Sequence, residues 1–239
     1  MEYRTSTETG SKEASGLVAR RPVTSLETAI LVTVAYYDVF KRPLTAAEIA
    51  ERLCGWRADE TEVRAEFARS PRLQRRLACE RGYFVLAGRS SLVRRHDLLA
   101  ETRRQKWLRA QGFAVAAQYV PFVRGITVGG SLAIGSARPE SDIDLVCITA
   151  EGRLWTARFC ATILRFAWNH TRRRPLRGPK QDKIDLLHVV SWNGLEAHRQ
   201  TFYTAALVKE GVTLYDEASA ARRYAEANGW VRTYWPGFT

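Results

Sequence analysis

The stretch SDIDLVCIT, residues 141–149, constrains this chain more than any other part of it. It is short, apolar and rich in β-branched residues, the pattern of a buried strand. Side chains alternate along a strand, so Asp142 and Asp144 project to one face while Ile143 and Leu145 enter a core. Two half-buried carboxylates one strand repeat apart repel each other and are costly unless a basic side chain or a metal ion lies between them. Magnesium suits the pair, because it prefers hard oxygen ligands and leaves positions for water and phosphate oxygens.

A second apolar run, KIDLLHVV at 183–190, carries Asp185 on the side opposite Ile184 and Leu186. If the two runs are neighbouring strands, Asp185 joins the pair and completes a two-metal site. Such a site stabilises the attacking and leaving oxygens of an in-line phosphoryl displacement. Upstream, Gly129, Gly130 and Ser131 follow the strand-like PFVRGITV and open a short helix. Small residues there let backbone N–H groups and the Ser131 hydroxyl approach a phosphate. A lone Gly-Gly-Ser is usually a turn and a lone Asp-Ile-Asp a solvated strand end; their combination and spacing make the pattern specific.

The rest of the chain frames this region. Its 239 residues, 46% of them hydrophobic, suffice for one large domain or two small ones. No apolar run is long enough to span a bilayer, and the polar start MEYRTSTETGSKEASG has no leader pattern, so a cytoplasmic protein without a membrane partner is expected, with residues 1–22 disordered. Cys54, Cys79, Cys147 and Cys160 show no CxxC spacing and read as buried free thiols. A net charge of +12 points to polyanionic partners, although an Arg- and Ala-rich composition gives such a charge by default.

Residues 23–95 read as three helices and a hairpin. Leu26, Ile30, Val34 and Tyr37 share one helical face, and Thr45 and Glu48 have capping-box spacing. An acidic-ended helix from Asp59 stops before Pro71, and RGYFVLAGRSSLV reads as a hairpin turning at Gly88-Arg89. That order is winged-helix-like, a module that binds DNA or a partner protein; Asp59, Glu60, Glu62 and Glu66 make the candidate recognition helix a poor match to phosphate. Residues 96–239 form a second unit. It starts with a linking helix from His96 to Tyr119 whose polar side carries Arg103, Arg104, Lys106 and Arg109. Strands and helices then alternate, with helices expected over 154–170, 195–209 and up to Ala227 and a short strand at VTLYD. Trp155, Phe159, Phe166 and Trp168 fall at helical spacing and read mostly as core. His188 is an odd number of residues from Asp185 and alternates away from it. The loop with Arg172, Arg173, Arg174, Arg177 and Lys180 reads as a polyanion-binding rim.

GSLAIGSARPESDIDL, residues 130–145, resembles the signature of the DNA polymerase beta nucleotidyltransferase superfamily, especially its small prokaryotic members. ILVTVAYYDVFKRPLTAAEI, GRLWTARF and ANGWVRTYWP resemble an uncharacterised branch of it. The resemblance implies an α+β fold of mixed sheet and flanking helices, preceded by the winged-helix-like unit. It implies that Gly130 and Ser131 hold the β- and γ-phosphates, with Gly129 and Lys183 completing the nucleotide-binding set. Asp142 and Asp144 would bind two Mg2+ ions, Mn2+ being able to substitute. Asp185 would bind one of them and take the proton of an acceptor hydroxyl, with Asp182 as the fallback third acid. The implied reaction moves AMP from ATP, or another NMP from its NTP, to RNA, protein or a small molecule. Leu132 and Ile134 stand where many minimal members carry basic or polar residues. A second reading of the same residues is a vestigial, nucleotide-sensing site in a protein that acts through its winged-helix-like unit.

Overall fold

The computed structural model describes residues 23–170 and 182–238. The N-terminal part consists of α1 (Leu26–Val39), β1 (Leu44–Thr45), α2 (Ala46–Arg52), α3 (Glu60–Arg69), α4 (Pro71–Arg76), β2 (Leu77–Glu80) and β3 (Tyr83–Leu86). Ala29, Ile30, Val34 and Tyr37 of α1 enter its core beside Leu44, Ile49, Val63, Leu73 and Phe84. Thr45 and Asp59 cap α2 and α3 through reciprocal bonds with Glu48 and Glu62, satisfying backbone donors that a helix start leaves unpaired. The hairpin lies earlier than the sequence suggested. Its two-residue turn is Arg81-Gly82, both at positive φ, whereas Gly88-Arg89 lies between β3 and the next helix.

That helix, α5 (Ser91–Leu98), is separate from α6 (Ala100–Ala117); the expected single helix breaks at Leu99, whose backbone leaves helical geometry. Next come β4 (Val123–Val128), α7 (Gly130–Ile134), β5 (Ile143–Thr149), α8 (Leu154–His170), β6 (Ile184–Ser191), α9 (Phe202–Glu210), β7 (Val212–Asp216) and α10 (Ala220–Ala227). The helix expected from Leu195 starts only at Phe202. Before it, Asn228 captures the chain, taking a bond from the Ala197 N–H and donating to the Leu195 carbonyl.

Strands order as β6-β5-β4-β7, with β5 and β6 parallel and the other pairs antiparallel. The result is a mixed sheet with flanking helices in an α+β chain. Parallel neighbours need a crossover, which α8 provides. Ile143, Leu145, Cys147 and Ile184 point to one face and pack under Ala110 and Phe113 of α6 and Ala157 and Ala161 of α8. The carboxylates therefore lie on the opposite face.

Two sequence expectations fail on these helices. Lys106 is not on a polar surface: it is 1% exposed. Trp168 packs on the core, but Trp155, Phe159 and Phe166 face outward, because the alanines of α8 make its close contact with the sheet. Of the thiols, Cys54 and Cys147 are buried but Cys79 is exposed, on the open side of β2.

The C-terminal end returns to the N-terminal part. Trp235 is buried beside Cys54 and the α9 alanines, stacks on Phe202 and donates its indole N–H to the Arg52 carbonyl. Buried Glu210 accepts from Tyr37 Oη at 2.6 Å and pairs with Arg52 at 3.2 Å. Ile134 of α7 is inserted into the N-terminal core, and Leu132 enters the sheet core. These two positions thus serve packing, which accounts for their apolar character.

Arg42 of the N-terminal part donates to the Ile134 carbonyl, pairs with Glu48 and reaches His96. Burial and the Arg42 and Arg103 guanidiniums push the His96 imidazole down to about 3, so it stays neutral in the fold. The unfolded chain takes up this proton near the ordinary pKa of about 6.5. Stability is therefore lost as pH falls below that value, by about 1 to 2 kcal/mol between pH 7 and 5 given partial solvent access. Urea melts at the two pH values measure it, and His96→Gln removes most of the slope.

Candidate active site

Asp144 and Asp185 are directly paired in the register of β5 and β6, and Asp142 precedes β5 by one residue. One ligand oxygen from each of the three carboxylates lies within 4.8 Å of the other two, and all three residues are partly exposed. Asn169, at the end of α8, brackets Ile184: its amide accepts from the Ile184 N–H at 2.9 Å and donates to the Ile184 carbonyl at 3.0 Å. That clamp ties the start of β6, just before Asp185, to the end of α8.

Gly129 donates its N–H to the Asp144 carbonyl at 2.9 Å, tying the turn after β4 to the aspartate strand. Gly130 has φ +58, and a Cβ built there would overlap the Asp144 carboxylate. Glycine is required on both counts: backbone conformation and room for the carboxylate. Ser131 lines an open cavity of about 440 Å3 together with Ser136, Arg138, Glu140, Ser141 and Asp142, bordered by Val39 and Phe40 at the end of α1.

Arg138 was missed in the sequence. It stands four residues before Asp142 inside the signature stretch, and its contribution to the cavity was legible only as one more arginine in a basic chain. Its N–H donates to the Ser141 hydroxyl, which shapes the loop. Lys183 contributes through its backbone, its carbonyl accepting from the Ile143 N–H at 2.8 Å. Asp182 is not a member of the carboxylate cluster: it pairs with Lys106. The Lys106 ammonium also donates to the Ser141 carbonyl at 2.7 Å, so one buried cation fastens the loops that lead into Asp142 and into Asp185.

Lys106→Met leaves Asp182 and the Ser141 carbonyl without that donor and costs about 2 to 3 kcal/mol, less than a fully buried pair because Asp182 is partly exposed. Chemical denaturation measures the loss.

His188 does not alternate away. The β5–β6 register shifts between Leu145 and Val146, so Leu187 is an extra residue in β6 and His188 lies opposite Val146, on the carboxylate face. The basic stretch with Arg172, Arg173, Arg174, Arg177 and Lys180 lies outside the described residues.

Residues 114–198, from the end of α6 past β6, match the family model described as nucleotidyltransferase domain. This segment is a nucleotidyltransferase domain of the polymerase beta-like superfamily. The nucleotidyltransferase domain thus takes in the glycine turn, both aspartate strands and the crossover helix. One solved structure, "Crystal structure of the toxin-antitoxin with AMP-PNP", aligns with 16% sequence identity and a TM-score of 0.29, over 51% of this chain and 89% of that one. No curated protein matches the chain. No helix among the described residues is long and apolar enough to cross a membrane.

Proposed function

We propose that the nucleotidyltransferase domain transfers a nucleoside monophosphate from an NTP, ATP being the expected donor, to a hydroxyl of RNA, protein or a small molecule. The observation that supports this most is the meeting of Asp142, Asp144 and Asp185 within 4.8 Å of one another, with Asp142 also lining the cavity that holds Ser131 and Arg138. Three accessible carboxylates are a hard oxygen donor set that fits Mg2+, or Mn2+ in its place. Asp142 and Asp144 would hold two ions and Asp185 one of them; when bound, the metal supplies charge neutralisation at the phosphates.

The protein's own groups do the positioning. Gly130 and Ser131 receive the β- and γ-phosphates, Gly129 anchors the turn to Asp144, and Arg138 adds a positive group to a cavity wall that also carries Glu140. Asp185 takes the proton of the acceptor hydroxyl as its oxygen bonds to the α-phosphorus; the bond to the β-phosphate oxygen breaks and pyrophosphate leaves. The gain comes from alignment and electrostatics, with no covalent enzyme intermediate. Helix, strand, three helices and hairpin in the N-terminal part, with β1 added to the hairpin's sheet, support a winged-helix-like module, a candidate site for a partner protein.

Incubation with α-labelled ATP and each acceptor class tests the reading. Label passes to one class with stoichiometric pyrophosphate, and Asp142→Asn does not support it; label transfer that survives Asp142→Asn overturns the assignment. Steep salt dependence of acceptor binding marks RNA, and a flat response marks a small molecule.

A further inference from the structure

Helix α8 is apolar on two faces. Ala157 and Ala161 meet the sheet, while Trp155, Phe159, Ile163 and Phe166 remain 77%, 66%, 55% and 64% exposed. Their spacing of four, four and three residues places them in a single row about 16 Å long. Isolated exposed apolar residues need no account, but a contiguous row of three aromatics and an isoleucine marks a surface that leaves water.

The charge on this helix selects the occupant. Arg158 and Arg165 lie on α8, and the sequence has no Asp or Glu between Glu151 and Asp182. A second copy would bring arginine-bearing helices together in a chain of net charge +12. An anionic surface is complementary. The side chains also project, each more than half exposed, rather than line a groove of fixed shape. Projecting aromatics with arginines beside them fit the boundary between lipid headgroups and acyl chains, where rings bury while guanidiniums reach up to phosphates.

We propose that the outer face of α8 docks the protein peripherally on a bilayer containing acidic lipids. This is contact with a membrane surface, not a span, and it revises the expectation that the chain has no membrane partner. The row lies on the helical layer and the carboxylates on the opposite face of the sheet, so the docked protein keeps its cleft open to the aqueous side. The proposal stands independently of the transfer reaction.

Co-sedimentation of the full chain with phosphatidylcholine vesicles, with and without phosphatidylglycerol, tests it. Binding appears with the acidic lipid, weakens as salt rises, and falls about a hundredfold in Phe159→Glu/Phe166→Glu. Circular dichroism shows that this pair folds, and Phe159→Leu/Phe166→Leu retains binding. No binding by the unaltered chain overturns the proposal, as does undiminished binding by the glutamate pair. A sedimentation mass of twice 27.1 kDa that the glutamate pair abolishes, with no vesicle binding, assigns the face to a second copy instead.

Discussion

Asp144→Ala reduces nucleotidyl transfer by about a thousandfold or more while leaving the fold in place. Asp144 is the central member of the cluster: it is paired in register with Asp185, its carbonyl accepts from Gly129, and its carboxylate occupies the space left by the missing side chain of Gly130. Its carboxylate is solvent-accessible, whereas its neighbours Ile143 and Leu145 carry the core packing. Truncation removes a proposed metal ligand and one of three clustered carboxylates without opening a buried cavity. The same change at Asp142 has the same outcome. Label transfer and a thermal melt of the two variants separate chemistry from folding. A variant that melts like the unaltered chain yet transfers within tenfold of it contradicts the role given to the cluster.

Gly130→Ala is nearly as damaging, for a different reason. The φ of +58 costs a side-chain-bearing residue about 1 kcal/mol, and the new methyl must displace the Asp144 carboxylate. We expect about a hundredfold loss of transfer and a stability loss of about 1 to 3 kcal/mol. Gly129→Ala is the control, because a Cβ there meets nothing within 4 Å and φ is −121. Its stability changes by no more than about 0.5 kcal/mol. Equal effects at the two glycines would show that the close approach to Asp144 is not what position 130 provides.

Much of this site was readable in the residues, because a strand's period of two and the apolar partners Ile143, Leu145 and Ile184 fix which face a carboxylate takes. Adjacency of β5 and β6 was not readable; it rests on the α8 crossover and the parallel pairing of the two strands, which join residues far apart in sequence. The same period misled at His188, since one extra residue, Leu187, resets the alternation and nothing local signals a bulge. Lys106 misled because a lysine on a polar-looking helix is ordinarily solvated, and its partners come from loops dozens of residues downstream. On α8 the period was right and the face wrong. Periodicity cannot say which of two apolar sides docks, and the small alanines won the sheet because they permit close approach. The hairpin was displaced because Gly88 looked like a turn as good as Arg81-Gly82, and only pairing of β2 with β3 decides between them.

Calorimetric titration of the unaltered chain and of Asp142→Ala with each NTP, with and without Mg2+, tests the central claim most directly. The account predicts binding by the unaltered chain that requires the metal and is lost in Asp142→Ala. Equal binding by both proteins, or binding indifferent to the metal, would contradict it.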